Sequence, residues 1–341
     1  MSFVEKRKYN MEKRKLGNSG IEASAVTFGA WAIGGWMWGG ADRKDAVDAI
    51  RASYDLGVTS IDTAPAYGQG LSEEIVGEAI QGISRDKVQI LTKYGLRWDV
   101  KKGEFFFKSQ DNSGKPIDMY KLASKESIMQ ECEASLKRLG TEYIDLYQIH
   151  WPDGTTPISE TMEAMQRLME QGKIRGAGVC NYSAKQMAEA EKTISLVSNQ
   201  LPYNMVNREI EKEIVPYAMQ NQKAIIAYSP LQRGLLTGKI KLEQRFNDGD
   251  TREGNAFFSL SNVIEVNTFL AKLKPLTQSK KATLTQLVIA WTLKQPGITI
   301  ALVGSRTAKQ AIENAGAQDI QLSADEIQFI NSELDQVKLE L

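Results

Sequence analysis

Tyr143-Ile144-Asp145-Leu146-Tyr147-Gln148-Ile149-His150-Trp151-Pro152-Asp153 is an apolar run that closes on the only histidine of the chain. It alternates and is rich in β-branched and aromatic residues, which predicts a buried strand ending at a polar edge. In an α/β barrel the chemistry sits at that C-terminal edge. A buried histidine usually has a structural hydrogen-bond partner, so the meaning of His150 depends on the segments around it.

Comparable runs recur along the chain. Strands are predicted at residues 25–28, 60–63, 89–93, 144–149, 176–180, 196–200, 224–228 and 299–303. Amphipathic stretches such as 43–56, 72–81, 125–139, 158–171 and 284–294 lie between them. Residues 13–16 and 21–24, joined by Gly17-Asn18-Ser19-Gly20, read as a hairpin. Eight strand–helix pairs in 341 residues predict a (β/α)8 TIM barrel with an N-terminal β-hairpin. A single domain is expected over residues 11–341, preceded by a polar extension at residues 1–10. Two long insertions, 97–122 and 239–262, are polar and weakly periodic. They follow the third and seventh strands, so they are expected as catalytic-face loops.

Composition narrows the function classes. The 42 basic and 42 acidic residues cancel, which leaves no strong pull toward nucleic acid or an anionic membrane. Cys132 and Cys180 are the only cysteines, an argument against a disulfide framework and for a reducing, cytoplasmic setting. One histidine and two cysteines also make a metal centre improbable. Residues 23–41 carry no charge and follow a basic stretch, as a signal peptide would. Gly29, Gly34, Gly35, Gly39 and Gly40 break up any long apolar helix there, so a short strand and a Gly-rich loop are expected instead.

Four polar residues fall at or just beyond strand ends: Asp62, Tyr67, Lys93 and His150. Ends of the second, third and fourth strands converge on one barrel mouth, where Asp62 and Lys93 would pair. An ammonium beside a phenol favours the phenolate, so the Tyr67 pKa is expected to fall from about 10 toward neutrality. Tyr67 could then protonate a carbonyl oxygen as hydride reaches carbon, with His150 orienting that oxygen. Asp62 and Lys93 could equally be a structural ion pair, and Tyr67 a rim-packing residue. All four at the ends of three successive strands favours chemistry.

Ile61-Asp62-Thr63-Ala64-Pro65-Ala66-Tyr67-Gly68, Thr92-Lys93 and Asp145 through Asp153 resemble the signatures of the aldo-keto reductases. The resemblance runs from about Met11 to Asp335. It extends to the bacterial general-stress and inositol-operon-type members, which carry text like Trp31-Ala32-Ile33-Gly34-Gly35. It implies an Asp–Tyr–Lys–His tetrad at positions 62, 67, 93 and 150. It also implies a nicotinamide cofactor bound across the barrel mouth, not on a Rossmann sheet. Gly178-Val179-Cys180-Asn181-Tyr182 is similar to the family's Gly-Val-Ser-Asn-Phe, with Cys180 where serine is usual. Asn181 and Gln200 would hold the nicotinamide carboxamide, and Tyr228 would stack under the ring. Ser229, Pro230, Leu231, Arg233, Gly234 and Lys239 would meet the pyrophosphate. Gly29, Ala30 and Trp31 would border the cofactor from the first strand. Gly304 and Arg306 precede a helix containing Gln310, Glu313 and Asn314, which would take the adenosine end. Helix N-termini favour anions, and the guanidinium fork of Arg306 suits a 2′-phosphate. NADP(H) is therefore expected over NAD(H).

On the substrate side, Trp31, Trp36 and Trp38 crowd the loop after the first strand, and Trp98 and Trp151 follow the third and fourth. They suggest an aromatic wall around the carbonyl of a sugar or a hydrophobic aldehyde, with Trp31, Tyr67, His150 and Trp151 touching it. The reading is an NADPH-dependent reductase of aldehydes or ketones, monomeric or weakly self-associating. Two alternatives stand beside it. One is a nicotinamide-binding sensor resembling the potassium-channel β subunits. The other is an aldolase that forms a Schiff base on Lys93.

Overall fold

In the computed structural model, which describes residues 11–247 and 249–341, eight parallel strands close into a barrel. They are β1 (Val26–Gly29), β2 (Ser60–Asp62), β3 (Gln89–Tyr94), β4 (Ile144–Ile149), β5 (Ile174–Cys180), β6 (Ser198–Pro202), β7 (Ala224–Tyr228) and β8 (Ile298–Gly304). Each pairs with the next, and β8 returns to β1 through Leu302 opposite Thr27. The sixth strand begins two residues later than its sequence suggests. The polar extension expected at residues 1–10 lies outside the described residues.

Period-two alternation sorts each strand into an inner and an outer face. On β4, Leu146 and Gln148 share one face with the following His150, while Tyr147 and Ile149 pack outward with Ile61, Ile90 and Val179 under the helices. Inside, Leu91, Leu146, Ile226 and Ile300 are fully buried together with Leu16 and Ile21 of the N-terminal hairpin. That hairpin, Lys13–Lys15 paired with Glu22–Ser24, floors the barrel. Each such side chain contributes about 1.5–3 kcal/mol by leaving water. The apolar floor closes one end of the barrel, and the cavity opens at the other.

Helices follow the strands as expected, with ends set by local chemistry. Asp42 caps Arg43–Asp55 by accepting from the Asp45 N–H at 2.8 Å. Thr283 and Gln286 form a capping box on Leu284–Lys294. Asp153, the last residue of the β4 motif, anchors its loop, its carboxylate accepting from Ala123 N–H at 2.8 Å and from Thr155 and Thr156.

The first long insertion is not a loop. Leu96–Arg97, Glu104–Gln110 and Pro116–Lys121 form a three-stranded antiparallel sheet with the last strand in the middle. Three consecutive aromatics, Phe105-Phe106-Phe107, hide the alternation, and the pairing shifts register between Phe105 and Phe107. The second insertion is largely irregular up to a short turn at Ala256–Phe258, and the helix Leu260–Lys272 begins within it. Thr251 N–H donates to Met37 O at 3.0 Å, tying this segment to the loop after β1. Among the described residues no helix is long and apolar enough to cross a membrane.

Candidate active site

At the C-terminal mouth of β2, β3 and β4, Lys93 is completely buried and donates three hydrogen bonds. Its Nζ lies 2.6 Å from Asp62 Oδ1, 2.9 Å from Thr63 O and 3.2 Å from Tyr67 Oη. Asp62 Oδ2 accepts from Gln200 Nε2 at 2.8 Å and from Gln148 Nε2 at 3.4 Å. The Tyr67 and His150 rings meet edge to face, 5.6 Å between centroids. Tyr67 is held by a close backbone approach: a Cβ on Gly34 would lie 2.6 Å from Tyr67 O, and one on Gly68 (φ +70°) 2.2 Å from Gly34 O. Only glycine permits that contact and that conformation together.

The electrostatics correct one expectation. Tyr67 is not lowered: burial outweighs the pull of Lys93, and the phenol is pushed up to about 12. Its proton therefore stays on at neutral pH. Burial alone would discharge Lys93, but Asp62 and Tyr67 together outweigh it and hold the ammonium above its ordinary value. A charged amine with three acceptors is a poor Schiff-base nucleophile, which removes the structural support for the aldolase alternative. Burial and Lys93 hold His150 well below its usual value, so the imidazole is neutral. Burial also raises the Cys180 thiol, which stays protonated.

Asp62, Tyr67 and His150 line a cavity of about 550 Å³, with Lys93 behind them. Every residue named above for cofactor or substrate contact lines the same cavity. The β7–β8 side is polar. Asn181 (φ +60°) accepts from Tyr228 Oη at 3.0 Å and donates to His150 O at 3.1 Å. Lys239 pairs with Glu313 at 2.9 Å, and burial of that carboxyl is outweighed by Lys239 and neighbouring hydroxyls, so its pKa is lowered. Gln310 accepts from Arg306 N–H at 2.8 Å, Asn314 donates to Ser305 Oγ at 2.9 Å, and Arg306 Nη1 reaches Trp38 O at 3.4 Å. Arg233 (φ +52°) donates to Thr251 O at 3.0 Å and to Thr251 Oγ1 at 2.6 Å, with its guanidinium 5.5 Å from the Trp31 ring. Three amides, three cations and a strained, Gly-containing turn fit a dinucleotide with an anionic middle.

The opposite side is apolar. Trp31, Trp36, Trp38 and Trp151 line it as the sequence suggests, while Trp98 packs behind them. Sequence reasoning missed Leu96, Phe106 and Phe107, which the small sheet adds to the wall. The three-phenylalanine run in an otherwise polar insertion was the available signal. It also missed Gln148, whose partner Asp62 is 86 residues away.

Comparison with known proteins gives one consistent answer. Residues 25–335 match the Aldo/keto reductase family. The chain is 42% identical over 302 residues to aldo-keto reductase YhdN of Bacillus subtilis (strain 168), spanning 88% of this chain and 86% of that protein. It is 37% identical over 318 residues to the NADH-specific methylglyoxal reductase of Escherichia coli (strain K12), spanning 92% and 95%. In three dimensions it is similar to the glycerol dehydrogenase AKR11B4 from Gluconobacter oxydans, with a TM-score of 0.85, 35% identity and 95% of each chain covered.

Proposed function

The chain belongs to the aldo/keto reductase family, and from that premise we propose that it reduces neutral, apolar aldehydes or ketones to alcohols with NADPH, using Asp62, Tyr67, Lys93 and His150. One observation carries the reading: a buried ammonium placed 2.6 Å from a carboxylate and 3.2 Å from a phenol at the cavity. NADPH, when bound, supplies the hydride. Tyr67, protonated at working pH, gives its proton to the carbonyl oxygen. Lys93 then stabilises the phenolate left behind, while Asp62 keeps the ammonium in place. The neutral His150 imidazole has one N–H with which to orient that oxygen. Asn181 and Gln200 would hold the carboxamide, Tyr228 the ring face, and Arg233 and Lys239 the pyrophosphate.

Two finer points complete the proposal. Arg306 at the helix entry favours the 2′-phosphate of NADPH, in contrast to the Escherichia coli relative, whose name specifies NADH. The wall of Trp36, Leu96, Phe106, Phe107 and Trp151 contains no charged side chain, which favours a neutral aromatic or aliphatic carbonyl. Tyr67→Phe tests the assignment. It removes one hydroxyl and should leave NADPH binding intact while turnover of an aromatic aldehyde falls about 10²–10⁴-fold. Near-wild-type turnover would sink it.

A further inference from the structure

Gln148 and Ser198 are interior polar side chains at the level of Gly178 that have no part in the tetrad or in the proposed cofactor contacts, and of the two only Gln148 touches a tetrad member. Gln148 is completely buried, opposite Lys93 on β3 and Gly178 on β5. Its inward direction is fixed by the same alternation that aims Leu146 at the core and His150 at the cavity. Gly178 makes room for it: a Cβ there would lie 3.0 Å from Gln148 Cγ. The amide Nε2 reaches only Asp62 Oδ2, at 3.4 Å, and Oε1 has no partner. A buried amide with an unmet acceptor costs stability, whereas leucine at this place would not, so its presence here needs a reason.

We propose that Gln148 is a positioning residue for Asp62, an inference that rests on the reductase reading. The carboxylate has two oxygens with separate duties. Oδ1 faces Lys93, and Oδ2 is held by two amides, Gln200 and Gln148. Gln200 lines the cavity and is open to a ligand, whereas Gln148 is sealed beneath it. Gln148 is thus the donor on Oδ2 that no ligand can recruit. Fixing Oδ2 fixes Oδ1. That in turn aims the remaining hydrogens of the Lys93 ammonium at Thr63 O and Tyr67 Oη. The charged and titratable groups around this point are Asp62, Lys93, Tyr67, His150 and Cys180, and Gln148 steadies them without adding a charge.

The test compares Gln148→Leu and Gln148→Glu with the wild type, using an aromatic aldehyde and NADPH. Gln148→Leu should lower kcat about tenfold, the loss of one hydrogen bond to a charged group. NADPH affinity by fluorescence titration and the thermal midpoint should stay close to wild type. Gln148→Glu should work near wild-type level at about pH 5, where the protonated carboxyl can still donate to Asp62. It should fade as that carboxyl ionises above its ordinary range of about 4–5, shifted upward by burial. A purely structural residue would not produce that pH-dependent rescue. In [15N]lysine-labelled protein the Lys93 ζ-nitrogen resonance should move in Gln148→Leu. Unchanged kcat with an unmoved resonance overturns the proposal. Wild-type protein that reduces no carbonyl would overturn the reductase reading instead, and the Lys93 resonance would still decide for or against Gln148.

Discussion

Replacing Lys93 by methionine removes the centre of the site while nearly preserving its volume. Three hydrogen bonds disappear, and Asp62 is left as a buried carboxylate with only two amide donors. Breaking a buried ion pair on one side costs about 3–5 kcal/mol. For a chain of 341 residues, at roughly 2 °C per kcal/mol, the thermal midpoint should fall by about 6–10 °C. Catalysis should suffer separately. Lys93 is the group that opposes burial at Tyr67, so its loss raises a phenol already near 12 and leaves the phenolate without its counter-ion. Turnover should drop by at least about 10³-fold. The two effects are separable through the double variant Asp62→Asn with Lys93→Met, which removes both charges. Calorimetry should show most of the lost stability restored, since the unpaired charge is gone, while NADPH-coupled turnover stays low. If Lys93→Met melts with the wild type, the buried pair is not as described. If the double variant recovers turnover, Lys93 serves the fold and not the chemistry.

Arg306→Ala should weaken NADPH binding about ten- to hundredfold and NADH binding little, because a charge-assisted bond to phosphate contributes roughly 1.5–3 kcal/mol. Equal losses in fluorescence titrations with both cofactors would make Arg306 structural. His150 is the only histidine, and its pKa is depressed in the folded state. Between about pH 6.5 and 5 the unfolded chain gains a proton that the folded one refuses, so stability should fall with pH by up to about 1.4 kcal/mol per unit. Denaturant melts of His150→Asn should lack that component; an identical slope would contradict a buried neutral imidazole. Phe106→Ala should raise KM for an aromatic aldehyde several-fold and leave NADPH affinity unchanged, and adding a carboxylate to the aldehyde ring should cost the wild type at least about tenfold in kcat/KM. Equal use of the charged and neutral aldehydes would remove the three-stranded sheet as the source of selectivity.

The barrel was legible because its signals are local. Alternation marks β4 and β7 to the residue, and hydrophobic stretches such as 125–139 carry their own period. The gathering of the polar side chains was legible for a related reason: Asp62, Lys93 and His150 stand at or just beyond strand ends, so predicting the strands predicts where those side chains meet. The three-stranded sheet was not, because Phe105-Phe106-Phe107 breaks the alternation and its register depends on pairing with Pro116–Lys121.

The protonation of Tyr67 escaped for a deeper reason. Sequence shows which charges can approach the phenol, but the sign of its shift is a contest between Lys93 and loss of water, and the amount of water excluded is a property of the closed mouth. Gln148 and Gln200 converge on one oxygen of Asp62 across 86 and 138 residues, and Lys239 meets Glu313 across 74. The sequence alone determined the scaffold, the polar groups that stand at its strand ends and the balance of charge, since short-range pattern and residue chemistry suffice for those. Which donor serves which acceptor, and which groups hold their protons, was decided only when the barrel closed, because burial and long-range pairing exist only in three dimensions.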